Sequence, residues 1–225
     1  MLPPRETDPF SLLGVEPRPL LDEGALKEAY RRLSMRLHPD HAPPERREDA
    51  LGWSSLLNRA HATLRDAKTR IPVLISMEAG GLDRPELSPS AGETGLGSGR
   101  SPMAPGAAVV DREMMELSLE VQRVCQAFDR FAAERKSPLA AASAALEGGW
   151  GEQKRALEGL RAKLEERKRR VAGELEGLDR RWRETPPPRT PLHRELGRLA
   201  SWFSYLSRFE GLVAERILTI KSMGL

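Results

Sequence analysis

The chain has 225 residues, of which 39% are hydrophobic, 31% charged and only 5% aromatic, with 36 Lys and Arg against 33 Asp and Glu. A net charge of +3 is too small to argue for a nucleic-acid partner. No run approaches the roughly 18 consecutive apolar residues of a membrane span, the opening Met1 to Glu6 lacks the apolar stretch of a secretory signal, and the expected location is the cytoplasm. A single cysteine, Cys125, and four scattered histidines leave no disulfide framework and no ligand cluster, so no metal and no cofactor are expected.

In chain order, Phe10, Leu12 and Leu13 read as a short helical lid ahead of a longer helix. There Leu26, Tyr30, Leu33 and Leu37 recur at helical spacing, with Lys27, Arg31, Arg32 and Arg36 on the other side. Asp22 suits the N-cap, and Pro39 should stop the helix because the residue before a proline is pushed out of the α region. After a loop carrying Asp40 to Pro44, the residues Trp53, Leu57, Ala60 and Leu64 mark a second long helix, antiparallel to the first if the loop is short. A stretch rich in Gly, Pro and Ser, Gly80 to Ala107, reads as a flexible linker.

Beyond it, Met114, Leu117, Val121, Val124, Phe128 and Phe131 alternate steps of three and four. Leu157, Leu160, Leu164, Val171, Leu175, Leu178 and Trp182 repeat the pattern, interrupted near Arg167 and Lys168, and Leu192, Leu196, Leu199, Phe203, Leu206, Val213, Ile217 and Ile220 repeat it again. Three long helices sharing one core follow, with a possible short helix at Ser137 to Leu146 before a break at Gly148 and Gly149, and a stiff Pro-rich connection at Thr185 to Pro191. No stretch alternates apolar and polar residues as a strand does. The fold class is therefore all-α, a helical hairpin with satellites in the first part and a three-helix, coiled-coil-like bundle in the second.

The most specific feature is the triplet His38-Pro39-Asp40 at the end of the basic helix. Proline restricts the shape of such a loop, and an aspartate offers a carboxylate to a partner's arginine. With a short helix before it and a hairpin around it, this pattern resembles a J-domain over about residues 8 to 80. The resemblance implies that His38, Pro39, Asp40 and the basic side chains Lys27, Arg31, Arg32 and Arg36 engage a DnaK-class chaperone. Basic side chains on one face would steer an acidic surface into register.

A second resemblance narrows the type. Asp8-Pro9-Phe10 with Leu13-Gly14, Asn58 to Asp66, then Arg70 and Leu74 to Met77 are similar to the HscB family of iron-sulfur co-chaperones. That family implies an HscA-like chaperone and an IscU-like scaffold protein as client; with the Gly-, Pro- and Ser-rich stretch as boundary, the chain divides into a J-domain at 1–80, a linker at 81–107 and a client-binding bundle at 108–225. Pro72 departs from the expected last J-domain helix, where it is harmless only near the first turn. At 100° per residue, Met115 and Leu119 lie nearly opposite the seam of their helix, beside Glu116 and Glu120. These four, together with Trp202, which falls where the family has a contact phenylalanine, are the client-binding candidates. No catalytic centre is expected: His61 and His193 have no evident acid-base partners. The alternative is a J-domain protein whose charged heptads from Gln153 to Trp182 form a coiled-coil oligomerisation module that recruits the chaperone to another assembly.

Overall fold

The computed structural model describes residues 8–38, 40, 43–80, 111–135 and 145–222, and among them there are helices and no strand. The helices are α1 (Pro9–Leu13), α2 (Glu23–Arg36), α3 (Arg47–Arg65), α4 (Ala67–Glu78), α5 (Arg112–Arg135), α6 (Ala145–Glu184) and α7 (Thr190–Ser222). A turn of 3-10 helix, Pro44–Arg46, leads into α3. None of these helices is long and apolar enough to cross a membrane. Two compact units result, Met1–Ala108 with Glu174–Ala200, and Val109–Gly173 with Ser201–Leu225, so α6 and α7 each contribute to both.

In the first unit, α1 is set at both ends by its sequence. The Asp8 carboxylate accepts the backbone N–H groups of Phe10 and Ser11, at 2.9 and 3.0 Å, Pro9 occupies the first turn, and Gly14 ends the helix at φ 66°, a left-handed conformation that glycine takes without a Cβ penalty. Phe10 and Leu13 are thereby driven inward, with none and 1% of their surface exposed, where α1 packs on α3 and α2. Asp22 caps α2 through the N–H of Ala25, as the sequence suggests, and α2 ends at Arg36 with Leu37 as its cap. Leu26 and Ala29 are its buried face; Tyr30, Leu33 and Leu37 lie half-buried at its margin. Across the hairpin, Trp53, Leu57, Ala60 and Leu64 all line the core, joined by Ala50 and Leu56.

Helix α4 begins where Asp66 turns the chain, its carboxylate accepting the N–H of Lys68 at 3.0 Å. Pro72 is its sixth residue, beyond the first turn, where a proline costs about 3 kcal/mol through the lost hydrogen bond and ring clash. The helix continues because Ile71 and Leu74 on either side are fully buried, each stabilising by about 1.5–3 kcal/mol. The segment between α1 and α2 is then held from two sides. Arg70, itself buried, donates from Nε to the Pro19 carbonyl at 2.9 Å and from Nη1 to the Leu64 carbonyl at 2.5 Å. From α6, Asp179 accepts Arg18 Nε and the N–H of Leu20, both at 3.1 Å, and Trp182 donates its indole N–H to the Pro17 carbonyl at 3.2 Å. Arg189 closes the end of α6 by donating to the carbonyls of Trp182 and Thr185, and pairs with Glu78 of α4.

In the second unit, contacts fix the helix directions. Glu113 meets Arg167 and Glu120 meets Lys163, so α5 and α6 run antiparallel, while Asp111 meets Trp202 and Asp129 meets Arg216, so α5 and α7 run parallel. The seam residues Met114, Val121, Phe128, Leu157, Leu160, Leu164, Val171, Leu206, Val213 and Ile220 are buried together, and Cys125 beside them is buried as a small apolar group. Burial raises the pKa of the Cys125 thiol, and the thiol form is the one that packs there.

Two expectations are corrected. Gly148 and Gly149 do not break the chain's helix, for α6 runs continuously from Ala145 to Glu184. Glycine weakens a helix interior by roughly 1 kcal/mol without ending it, and here it makes room. A Cβ on Gly149 would stand 2.5 Å from the Phe131 ring, which packs edge-on against Trp150 with centroids 4.8 Å apart. The interruption at Arg167 is also no gap in the seam, since Arg167 takes the position between Leu164 and Val171 and is itself buried. The 81–107 linker, and the part of the short Ser137 to Leu146 helix before Ala145, fall outside the described residues.

Candidate functional site

The first candidate surface is built on α2 and the turn after it. With Leu26 and Ala29 buried against α3, the geometry of 3.6 residues per turn sends Lys27, Arg31, Arg32 and Arg36 outward, and all four are exposed. Tyr30 locks the hairpin at the edge of this face, its hydroxyl donating to Asn58 Oδ1 at 2.6 Å and its ring stacked on His61 with centroids 4.4 Å apart. His38 and Asp40 stand exposed just past the end of α2. The Asp40 N–H donates to His38 Nδ1 at 3.2 Å, which ties the imidazole to the turn that follows α2. The Asp40 carboxylate, 3.5 Å from His38 Nδ1, keeps 84% of its side-chain surface open to a partner's guanidinium. Pro39 between them lies outside the described residues. His38, Asp40 and the four cations are therefore contiguous along one helix and its terminus.

A second surface lies on α5. Met115 and Leu119 are 56% and 54% exposed, on the side away from Met114 and Val121, so the helical angle places them as the sequence suggests. Their acidic neighbours are already engaged, Glu116 with Arg112 at 2.8 Å on the same helix and Glu120 with Lys163 of α6. Trp202 does not belong to this surface. It has no exposed surface, its indole N–H donates to Asp111 Oδ2 at 2.9 Å, and the Arg167 guanidinium covers its ring at 4.0 Å from the centroid. An aromatic ring stacked under a cation and tied by its one donor is a core residue, so Trp202 is withdrawn from the client-binding candidates.

Residues 8–71 match the DnaJ domain family. Over 71 residues the chain is 39% identical to a co-chaperone protein HscB homolog of Ralstonia nicotianae, a stretch covering 30% of this chain and 40% of that one. Over 79 residues it is 38% identical to the HscB homolog of Bordetella petrii, covering 34% of this chain and 45% of that one. The matched stretch thus spans less than half the length of these relatives. Among solved structures, the chaperone HscB of Vibrio cholerae superposes with a TM-score of 0.53 at 18% identity, covering 93% of this chain and 96% of that one. The human co-chaperone protein HscB superposes with a TM-score of 0.53 at 15% identity, covering 100% of this chain and 87% of that one. The chain carries a DnaJ domain and is similar over part of its length to HscB co-chaperones. Its fold, a DnaJ domain with a helical C-terminal part, is that of the two HscB structures.

In the first unit, the sequence pattern found the basic side chains and the His38-Pro39-Asp40 triplet but not the contacts that hold the segment ahead of α2. Arg18, Arg70 and Asp179 carry no helical periodicity that points to one another, and the Arg18 and Asp179 partners are separated by 161 positions. The hydrogen bonds that Arg18 donates to Asp179 raise the pKa of its guanidinium and keep it charged, whereas burial lowers that of Arg70, which two carbonyls satisfy instead. The only sequence signal for any of them was Arg70, noted as part of the HscB-like pattern.

Proposed function

We propose that this chain is a J-domain co-chaperone that stimulates the ATPase of a DnaK-class, HscA-like chaperone and delivers to it an IscU-like iron-sulfur scaffold protein. The observation that carries the reading is the contiguous exposed array of Lys27, Arg31, Arg32, Arg36, His38 and Asp40 in a DnaJ domain. Such an array can steer an acidic chaperone surface and then offer it the exposed Asp40 carboxylate. The exposed pair Met115 and Leu119 supports the second half, because two large apolar side chains side by side on an outer helix face suit an apolar patch on a partner. In this reading the protein makes and breaks no bonds. It links the binding of chaperone and client into one equilibrium.

The rival, a coiled-coil oligomerisation module, needs the α6 seam free for a second chain. Leu157, Leu160 and Leu164 are instead consumed by the chain's own second unit. The test of the client half is the affinity of the full chain for the scaffold protein of the same source, with a variant carrying Met115→Ser and Leu119→Ser. Micromolar binding lost in the variant supports the reading; absence of binding by the unaltered chain removes the scaffold as client. The full chain is needed because residues 174–200 pack in the unit of the J-domain.

A further inference from the structure

Asp111, just ahead of the first residue of α5, uses both of its carboxylate oxygens. Oδ1 accepts the Met114 N–H at 2.8 Å, capping the first turn, and Oδ2 accepts the indole N–H of Trp202 on α7 at 2.9 Å. The next acidic residue of the same turn, Glu113, pairs with Arg167 of α6 at 3.2 Å, and that same guanidinium covers the Trp202 ring. Arg170 adds a longer contact to Glu113 at 3.9 Å. Four side chains from three helices therefore close a latch on a single turn: Asp111 and Glu113 on one side, Trp202 and Arg167 on the other. Neither Trp202 nor Arg167 faces solvent.

A helix end is where the backbone frays first, because its leading N–H groups have no partner within the helix. The turn that the latch closes is the turn that presents Met115, immediately after the capped Met114. A partner that takes Met115 into an apolar pocket would have to order that turn if it were loose, at a cost in affinity. We infer that Trp202 and Asp111 are positioning residues for the outer face of α5, holding its first turn ready so that Met115 meets the client already in place. The inference rests on the proposed role of that face. It assigns Trp202 a part in recognition that requires no contact with the partner, from its buried place in the core.

The test uses the full chain and the same-source scaffold protein as probe, with Trp202→Phe, Asp111→Ser and the pair combined, at a temperature where each variant is folded. Phenylalanine keeps the ring in the core and removes the N–H. Serine keeps an N-cap acceptor but is too short to reach Trp202 as well. Each single variant should bind the scaffold about three- to tenfold more weakly, and the double variant no more weakly than either single one, since both cut the same link. Amide hydrogen exchange at Met114 to Leu117 should speed up in all three without the probe present, while exchange at Val121 to Phe128 stays slow. Equal affinity of the variants and the unaltered chain, additive losses, or unchanged exchange at the first turn would each overturn the inference. An unaltered chain that fails to bind the scaffold, with exchange faster in the variants, would instead sink the client assignment and limit the latch to ordering the helix.

Discussion

Arg18 and Asp179, 161 residues apart, meet in a two-pronged ion pair in which the Asp179 side chain keeps 2% of its surface and Arg18 a quarter. Asp179 also accepts the Leu20 N–H, so one buried carboxylate satisfies three donors of the segment between α1 and α2. Removing one partner of such a pair strands the other, which is the costly change; replacing both with apolar groups is not. Asp179→Ala should lower the stability of the first unit by roughly 2–4 kcal/mol, and Arg18→Met combined with Asp179→Leu by less than the single change. Urea unfolding followed by helical circular dichroism measures both, and a single variant that unfolds like the unaltered chain would contradict the account.

His61 stacks on Tyr30 across the α2–α3 hairpin, and burial, followed by the nearby charge of Arg65, holds its pKa below the ordinary imidazole value. The unfolded chain therefore takes up the proton first as pH falls. Stability should be unaffected above the ordinary value near 6.5 and should decline on acidification from there down through the depressed folded value. Comparing unfolding midpoints at pH 7.5 and 5.5 for the unaltered chain and His61→Gln isolates the effect, with a shallower decline expected in the variant.

Gly149 and Gly151 lie two residues apart in the same helix and should respond oppositely to alanine. At Gly151 nothing stands within 4 Å of a new Cβ, so Gly151→Ala should stabilise by about 0.5–1 kcal/mol through helix propensity alone. At Gly149 the Cβ would press on the Phe131 ring at 2.5 Å, a ring confined by Trp150, and overpacking of this kind costs about 1–3 kcal/mol. Thermal melts of the two variants should move in opposite directions.

Helices and their buried faces were legible because apolar residues at steps of three and four mark a stripe wherever a helix packs, and Leu57, Leu64, Leu157, Leu164, Leu196 and Leu199 are all buried as that pattern requires. The exposed basic array with His38 and Asp40 was legible as one surface because its residues are neighbours in the chain. Periodicity gives an angle around one axis but not which neighbouring helix covers it. For that reason Arg167 looked like a flaw in the seam, and Trp202, a client-binding candidate by its place in the family pattern, proves to be buried beneath that guanidinium. Gly148 and Gly149 misled for a different reason: glycine lowers helix propensity, yet a ring such as that of Phe131 can require its absent side chain. The Arg18 to Asp179 pair was out of reach, since no local pattern relates residues so distant in sequence.

The most direct test of the proposed function is single-turnover ATP hydrolysis by the same-source DnaK-class chaperone, with the full chain added, with and without the scaffold protein. His38 and Asp40 are exposed and outside the core, so His38→Gln and Asp40→Asn should fold as the unaltered chain does. The account predicts at least tenfold acceleration by the unaltered chain, on the order of 1.4 kcal/mol or more off the barrier, further acceleration when the scaffold is present, and loss of the effect in both variants. Acceleration that survives both substitutions, or none at all with the unaltered chain, would contradict it.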